Sequence, residues 1–201
     1  MKILENIAVD YYDPDEGETK YELINGKICG LQPYEIIGGE KIIMSPAPTA
    51  THASLVVKFT SIFDSYIWEN NIKGMVFGDN VDIYLSQKEH YKPDVSVILN
   101  TDIIDWNGAI HGAPDLIVEV LSESTKKNDF GIKKDAYEKY GVKEYWIVDP
   151  KNRSIKVYHL IEGKFKISGE YNVNGDKTEI KVSIFEDLVV DIRKVFKWWL
   201  N

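Results

Sequence analysis

The chain has 201 residues, 44% apolar and 28% charged, the balance of a folded protein and not of a disordered or fibrous one. Its one cysteine, Cys29, excludes an intramolecular disulfide framework and a multi-cysteine zinc site, and no run approaches the ~18 apolar residues of a membrane span. A formal net charge of −8 argues against tight non-specific binding to nucleic acid, although basic residues can still cluster on one face.

Residues 1–20 read as a loosely ordered acidic lead-in; the stretch DYYDPDEGE carries five acids in nine residues. The opening MKILENIAVD has no apolar core of signal-peptide length, so the expected location is the cytoplasm. No linker or composition shift divides 21–201, which is read as one domain. A near-duplication opens it. YELINGKI (Tyr21–Ile28) is echoed by YEIIGGEKI (Tyr34–Ile42), and the pairs Asn25–Gly26 and Gly38–Gly39 predict a turn in each, hence two β-hairpins.

From Ala50 to Trp68, Leu55, Val56, Phe59, Ile62, Phe63, Tyr66 and Ile67 recur at helical spacing and predict a long amphipathic helix. MVFGDNVDIYL (75–85) alternates as a strand, with Asp82 and Tyr84 on the face opposite Val81, Ile83 and Leu85. DVSVIL (94–99) and DLIVEVLS (115–122) are two more strands. A helix is expected over Asp129–Tyr140, introduced by Asn128 and closed by Gly141, followed by the apolar strand EYWIVDP (144–150). SIKVYHLI and GKFKISGEYNV predict an antiparallel hairpin. The end, 184–200, predicts a short helix that packs Trp198 or Trp199. Helix, three strands, helix, strand makes a mixed-sheet α/β or α+β fold.

Glu119 is the anomaly, because it interrupts an apolar strand and a buried, unpaired carboxylate is costly. It is either half-exposed and paired with a lysine, or it belongs to a site. Asp94 opens another strand directly after Pro93. Neighbouring strands lie about 5 Å apart, so two such carboxylates could share a hard cation; Mg²⁺ takes oxygen ligands, often one or two carboxylates together with substrate phosphate. Asp129, Lys133 and Tyr137 are spaced i, i+4, i+8 on one helix face. By spacing alone, Asp129 and Lys133 read as a surface pair worth a few tenths of a kcal/mol.

YEIIGGEKIIMSPAP, YKPDVSVIL and the 39-residue block from Gly112 to Pro150 together resemble the Uma family. This is a large bacterial family of restriction-endonuclease-like proteins in the PD-(D/E)xK nuclease superfamily. The resemblance spans roughly residues 34–160. It implies an αβββαβ core with a mixed sheet and added hairpins at both ends, and hydrolysis of DNA phosphodiesters with Mg²⁺ or Mn²⁺. It further implies that Asp94 and Glu119 are metal ligands together with the Val120 carbonyl. The superfamily lysine position is Leu121 here, and the resemblance moves that role to Lys133. Glu35 matches the upstream acid by its distance from MSPAP, with Glu22 of the first copy as runner-up. His52 falls at a family position, and Asp82 and Tyr137 are further site candidates. DNA is the expected partner, and a homodimer stays open. So do two alternatives: a catalytically silent nucleic-acid-binding or regulatory module, and a phosphodiesterase acting on RNA or a small substrate.

Overall fold

In the computed structural model, residues 22–24, 27–29, 34–37, 40–43, 48–78, 81–87, 89–122 and 126–197 are described. The chain forms two compact units, Met1–Pro33 and Tyr34–Asn201, and the division falls after the first hairpin copy. The first unit contains β1 (Glu22–Ile24) paired antiparallel with β2 (Lys27–Cys29). The lead-in and the two predicted turn pairs, Asn25–Gly26 and Gly38–Gly39, lie outside the described residues.

The second unit begins with β3 (Tyr34–Ile37) and β4 (Glu40–Ile43), the hairpin of the second copy. Helix α1 runs over Ala50–Glu69, and the Thr49 side chain caps it by accepting from the His52 amide. Its buried stripe is Leu55, Val56, Phe59, Phe63 and Ile67, the i, i+4 pattern of an amphipathic helix.

The single strand expected over 75–85 is two strands in different sheets, β5 (Met75–Gly78) and β6 (Ile83–Ser86). The alternation is real, but it crosses a break that hydrophobicity does not reveal. At Gly78 the sheet lies close to α1: an added Cβ would stand 3.3 Å from Thr60 Oγ1. Strands β7 (Glu89–Tyr91) and β8 (Val95–Ile98) also belong to different sheets, and Lys92–Pro93–Asp94 forms the crossing. Then come β9 (Ile110–His111) and β10 (Leu116–Val120).

The helix expected over 129–140 starts earlier and is broken. Helix α2 covers Lys126–Phe130 and α3 covers Ile132–Tyr140. The break is Gly131, where a Cβ would meet the Lys127 carbonyl at 3.0 Å; Asn128 lies inside α2, and Gly131 stands at the N-cap of α3. Gly141 closes α3 in the left-handed region, φ 90°, the usual glycine terminus. Strand β11 (Glu144–Asp149) follows, then β12 (Ser154–Ile161) and β13 (Lys164–Asn172) as an antiparallel hairpin. Its turn residues Glu162 and Gly163 both have positive φ, 53° and 74°, as a two-residue hairpin requires.

Beyond it, β14 (Glu179–Lys181) pairs with β15 (Val189–Asp191), and α4 (Ile192–Val195) is a single turn. A short helix thus lies within 184–200, and Trp198 and Trp199, which it was expected to pack, lie outside the described residues. Lys58 Nζ donates to the Val195 carbonyl at 2.6 Å and ties this end to α1.

The main sheet has the order β13-β12-β11-β10-β8-β5; β10 and β11 are parallel and its other pairs antiparallel. A second sheet has the order β4-β3-β7-β6-β9. Helix α1, strands β5, β8 and β10, helix α3 and strand β11 make the αβββαβ core, an α+β arrangement. Alternation along β10 sorts its side chains. Leu116, Val118 and Val120 join the core with α1 and Trp146, and Ile117 and Leu121 join the core with Tyr137 of α3. Glu119 shares the second face.

Candidate active site

Two proline–aspartate pairs enter the main sheet, and their positions separate them. Asp115 opens β10. Its carboxylate accepts from the Leu99 amide (2.7 Å) and pairs with Lys143 Nζ (2.6 Å), a fastening at one end of the sheet. Asp94 stands at the other end. The β8–β10 register runs Leu116↔Val97, Ile117↔Ser96, Val118↔Val95, and one more step puts Asp94 opposite Glu119.

The Asp94 carboxylate is held from two sides. Oδ2 accepts from the Val120 amide at 2.6 Å and lies 3.1 Å from His52 Nε2 on the first turn of α1. Among the described residues Oδ1 takes no hydrogen bond, and the side chain keeps 14% of its surface. In an extended strand the N–H and C=O of one residue project to the same edge. The Val120 carbonyl therefore points to the edge where Asp94 sits.

Glu119 is buried, 3% exposed. Its Oε1 accepts from Tyr137 OH (2.8 Å) and Lys133 Nζ (3.2 Å), both on α3. Lys133 Nζ is also 3.6 Å from Asp129 Oδ1. Asp129 and Lys133 are themselves 1% and 3% exposed, so the surface-pair reading of their spacing is wrong: Gly131 and the packing of α3 on β10 turn this face inward. Desolvating such charges costs several kcal/mol each, recovered only through close pairing and hydrogen bonds. Tyr145 is fully buried next to them and donates to the Asp129 carbonyl (3.0 Å). Burial, then the charges of Glu119, Asp129 and Asp94, hold its hydroxyl well above the ordinary tyrosine range, so it remains a donor. Asp129 and Tyr145 were not read as site residues. The i, i+4 spacing to Lys133 was visible, but burial was not.

Asp82 is placed differently from the other candidates. Its Oδ1 lies 2.5 Å from His90 Nε2 and 2.6 Å from Lys92 Nζ, with the Tyr84 ring stacked on His90 at 4.5 Å. This cluster buttresses the second sheet, and Lys92 stands two residues before Asp94 in the chain. Burial alone would raise the Asp82 carboxyl; hydrogen bonds from His90 and Lys92 and the Lys92 charge outweigh it and hold the carboxyl below its ordinary value of 3.8. A depressed folded-state value means stability that is fully present above the unfolded value and lost as pH falls through the folded one. The stability difference between the parent and Asp82→Asn should thus be flat near neutrality. It should shrink only below about pH 3.9, as read from paired urea melts; a difference that shrinks already near pH 6 would overturn this assignment.

Glu35 lies on β3. The β3–β7 pair Ile36↔His90 puts position 35 opposite Tyr91, whose ring packs edge-on against Tyr137 at 5.3 Å. The Glu35 side chain is outside the described residues. Glu22 belongs to the other compact unit.

The described donors suit a hard divalent cation. Asp94 offers an anchored carboxylate with one oxygen that takes no hydrogen bond among the described residues, and a backbone carbonyl shares its edge. Among the described residues no three His, Cys, Asp or Glu side chains gather as a metal site. One or two carboxylates completed by water and substrate phosphate is the usual Mg²⁺ arrangement.

The model of the Uma2 family, described as "Putative restriction endonuclease", matches residues 29–193. The chain belongs to this family. The Uma2 match takes in all three sheets of the second unit and every element that carries the site. The crystal structure of a "putative nuclease belonging to DUF820" from Anabaena variabilis ATCC 29413 is similar in fold, with a TM-score of 0.62 at 22% identity over 92% of this chain and 94% of that one. A search of curated proteins finds no match. Among the described residues no helix is long and apolar enough to cross a membrane.

Proposed function

We propose that this member of the Uma2 family is a divalent-metal-dependent endonuclease that hydrolyses DNA phosphodiesters. What supports this is one juxtaposition: an Asp94 carboxylate anchored on the Val120 amide, directly across the strand register from a buried Glu119 that is bridged to Lys133 and Tyr137. A strand with only a structural role has no use for that charge cluster, since replacing buried ion pairs by packed apolar groups is often neutral or stabilising.

Asp94, Glu119 and the Val120 carbonyl would hold Mg²⁺ or Mn²⁺, and Glu35 would complete the acidic set from β3. Bound there, the ion would supply Lewis-acid stabilisation of the phosphoryl oxygens and a lower pKa for an attacking water. The chain's own groups do the rest. Lys133, held by Glu119 and Asp129, would stabilise the negative charge that grows in the transition state. Tyr137 fixes the Glu119 rotamer by donating to Oε1. His52 holds Asp94 Oδ2 from the α1 side and so fixes the carboxylate's orientation.

The test is calorimetric Mn²⁺ titration alongside nicking of supercoiled plasmid. Mn²⁺ at a hundred times its Kd should stabilise the protein by about 2.7 kcal/mol, a rise in Tm of several degrees for a chain of this size. EDTA should remove both that rise and the nicking. A protein that binds Mn²⁺ but cleaves only RNA or a small phosphodiester would move the substrate class. One that binds no divalent ion would be the silent module.

A further inference from the structure

Charge is distributed unevenly along this acidic chain. From Lys126 to Lys166 there are eleven lysine and arginine residues against six acids, although the whole chain carries −8. Some of these cations lie away from the site: Lys143 pairs with Asp115 at the far end of the sheet, and Lys164 with Glu138. Four others stand at the site end. Lys126 and Lys127 open α2, and Lys151 and Arg153 lie in the turn between β11 and β12.

Asp149 joins the two pairs. Its carboxylate accepts from the backbone and side-chain amides of Asn152 (3.0 and 2.9 Å) and lies 3.8 Å from Lys126 Nζ. The parallel register Glu119↔Ile147, Val120↔Val148 places Asp149 one step beyond the metal-ligand candidates, so this basic rim borders the site. Lys126, Lys127 and Lys151 are exposed. Arg153 has φ 48°, a left-handed conformation that glycine adopts freely and a side chain with a Cβ adopts at a cost.

We infer that this rim, Lys126, Lys127, Lys151 and Arg153, seats the phosphate backbone of duplex DNA flanking the bond in the site. This rests on the nuclease reading above. A local cationic strip lets a protein of negative net charge hold a polyanion, because each phosphate it neutralises releases condensed counterions. Long basic side chains, three of them exposed and Arg153 half-buried, reach a backbone without reading its sequence, so the rim supplies affinity and register, and the selection of a sequence lies elsewhere.

The experiment is fluorescence anisotropy of a short labelled duplex across a salt series in EDTA, where no hydrolysis intervenes. The proteins are the parent, Lys126→Ala/Lys127→Ala, Lys151→Ala, Arg153→Gly and the control Lys73→Ala. Lys73 is 73% exposed beside Asp102, at the end of the sheet away from the site. Each lost contact should flatten the slope of log K against log salt by about one. Lys73→Ala removes the same charge and should leave the slope unchanged. With Mn²⁺ present, the rim variants should raise KM and keep kcat, since their contacts are the same in ground and transition states. If the parent binds the duplex and the rim variants keep its slope, or if Lys73→Ala loses as much, the inference fails and the nuclease reading stands. A parent that neither binds the duplex at low salt nor cleaves it overturns both.

Discussion

Asp94→Asn is expected to abolish Mn²⁺-dependent nicking, a loss on the order of 10²–10³-fold or more, the scale of removing one preorganised electrostatic partner. It should also abolish the Mn²⁺-induced rise in Tm. The metal-free fold should be nearly untouched. Asparagine keeps an oxygen to accept from the Val120 amide at the 2.6 Å seen for Asp94, and it removes one of several neighbouring negative charges. Glu119→Gln should be as inactive but less stable. Its carboxylate is the closer acceptor for buried Lys133, 3.2 Å against 3.6 Å for Asp129, and breaking a buried pair costs roughly 3–5 kcal/mol when no partner remains. Asp129 stays as a partner, so the measured cost should fall below that range. Thermal melts with and without Mn²⁺ decide it. Two variants that keep the full Mn²⁺ shift would mean that the ion sits elsewhere or nowhere.

Lys133→Ala should lose about 10²-fold in rate without losing the metal. Because an ammonium repels a divalent cation, its removal should leave Mn²⁺ affinity unchanged or tighter. The metal-free protein should melt lower, since Glu119 and Asp129 are then buried together without their shared cation. The Mn²⁺-induced rise should therefore exceed that of the parent. Leu121 shares the strand face of Glu119 and is 8% exposed, in the cluster that contains Ile117 and Tyr137. A lysine there could reach the space vacated by Lys133. Lys133→Ala/Leu121→Lys should recover part of the rate, and Leu121→Lys alone should lose stability, because its ammonium is buried in apolar surroundings beside an already satisfied Glu119. Nicking by the four proteins side by side, with melts, is the measurement. A Lys133→Ala protein as fast as the parent would leave Lys133 a structural partner of Glu119 and Asp129.

Much of the core was legible in the sequence because it is built from local periodicities. The α1 stripe, the alternation along β10, the apolar run of β11 and the turn ending at Gly163 each follow from spacing and turn chemistry within a dozen or so residues. Glu119 was conspicuous for the same reason, as a charge where alternation called for an apolar side chain. The Uma2 likeness lies in continuous blocks, so it too could be read along the chain, and it named Asp94, Glu35 and Lys133 where spacing alone left them ambiguous.

Burial and long-range neighbours were decided by tertiary structure alone. The alternating stretch 75–85 belongs to two sheets, because periodicity reports which face a side chain takes and not which sheet it joins. The i, i+4 pair Asp129 and Lys133 has the spacing of a solvated surface pair. Only the docking of α3 on β10, after the break at Gly131, makes it a buried support for Glu119. The two proline–aspartate pairs look alike in sequence, and the β8–β10 register alone separates the fastening at Asp115 from the carboxylate at Asp94. The basic rim likewise joins α2 to a turn some twenty-five residues away, which no local pattern could bring together. Sequence periodicity encodes each element's faces; the pairing of elements distant in the chain determines which charges meet.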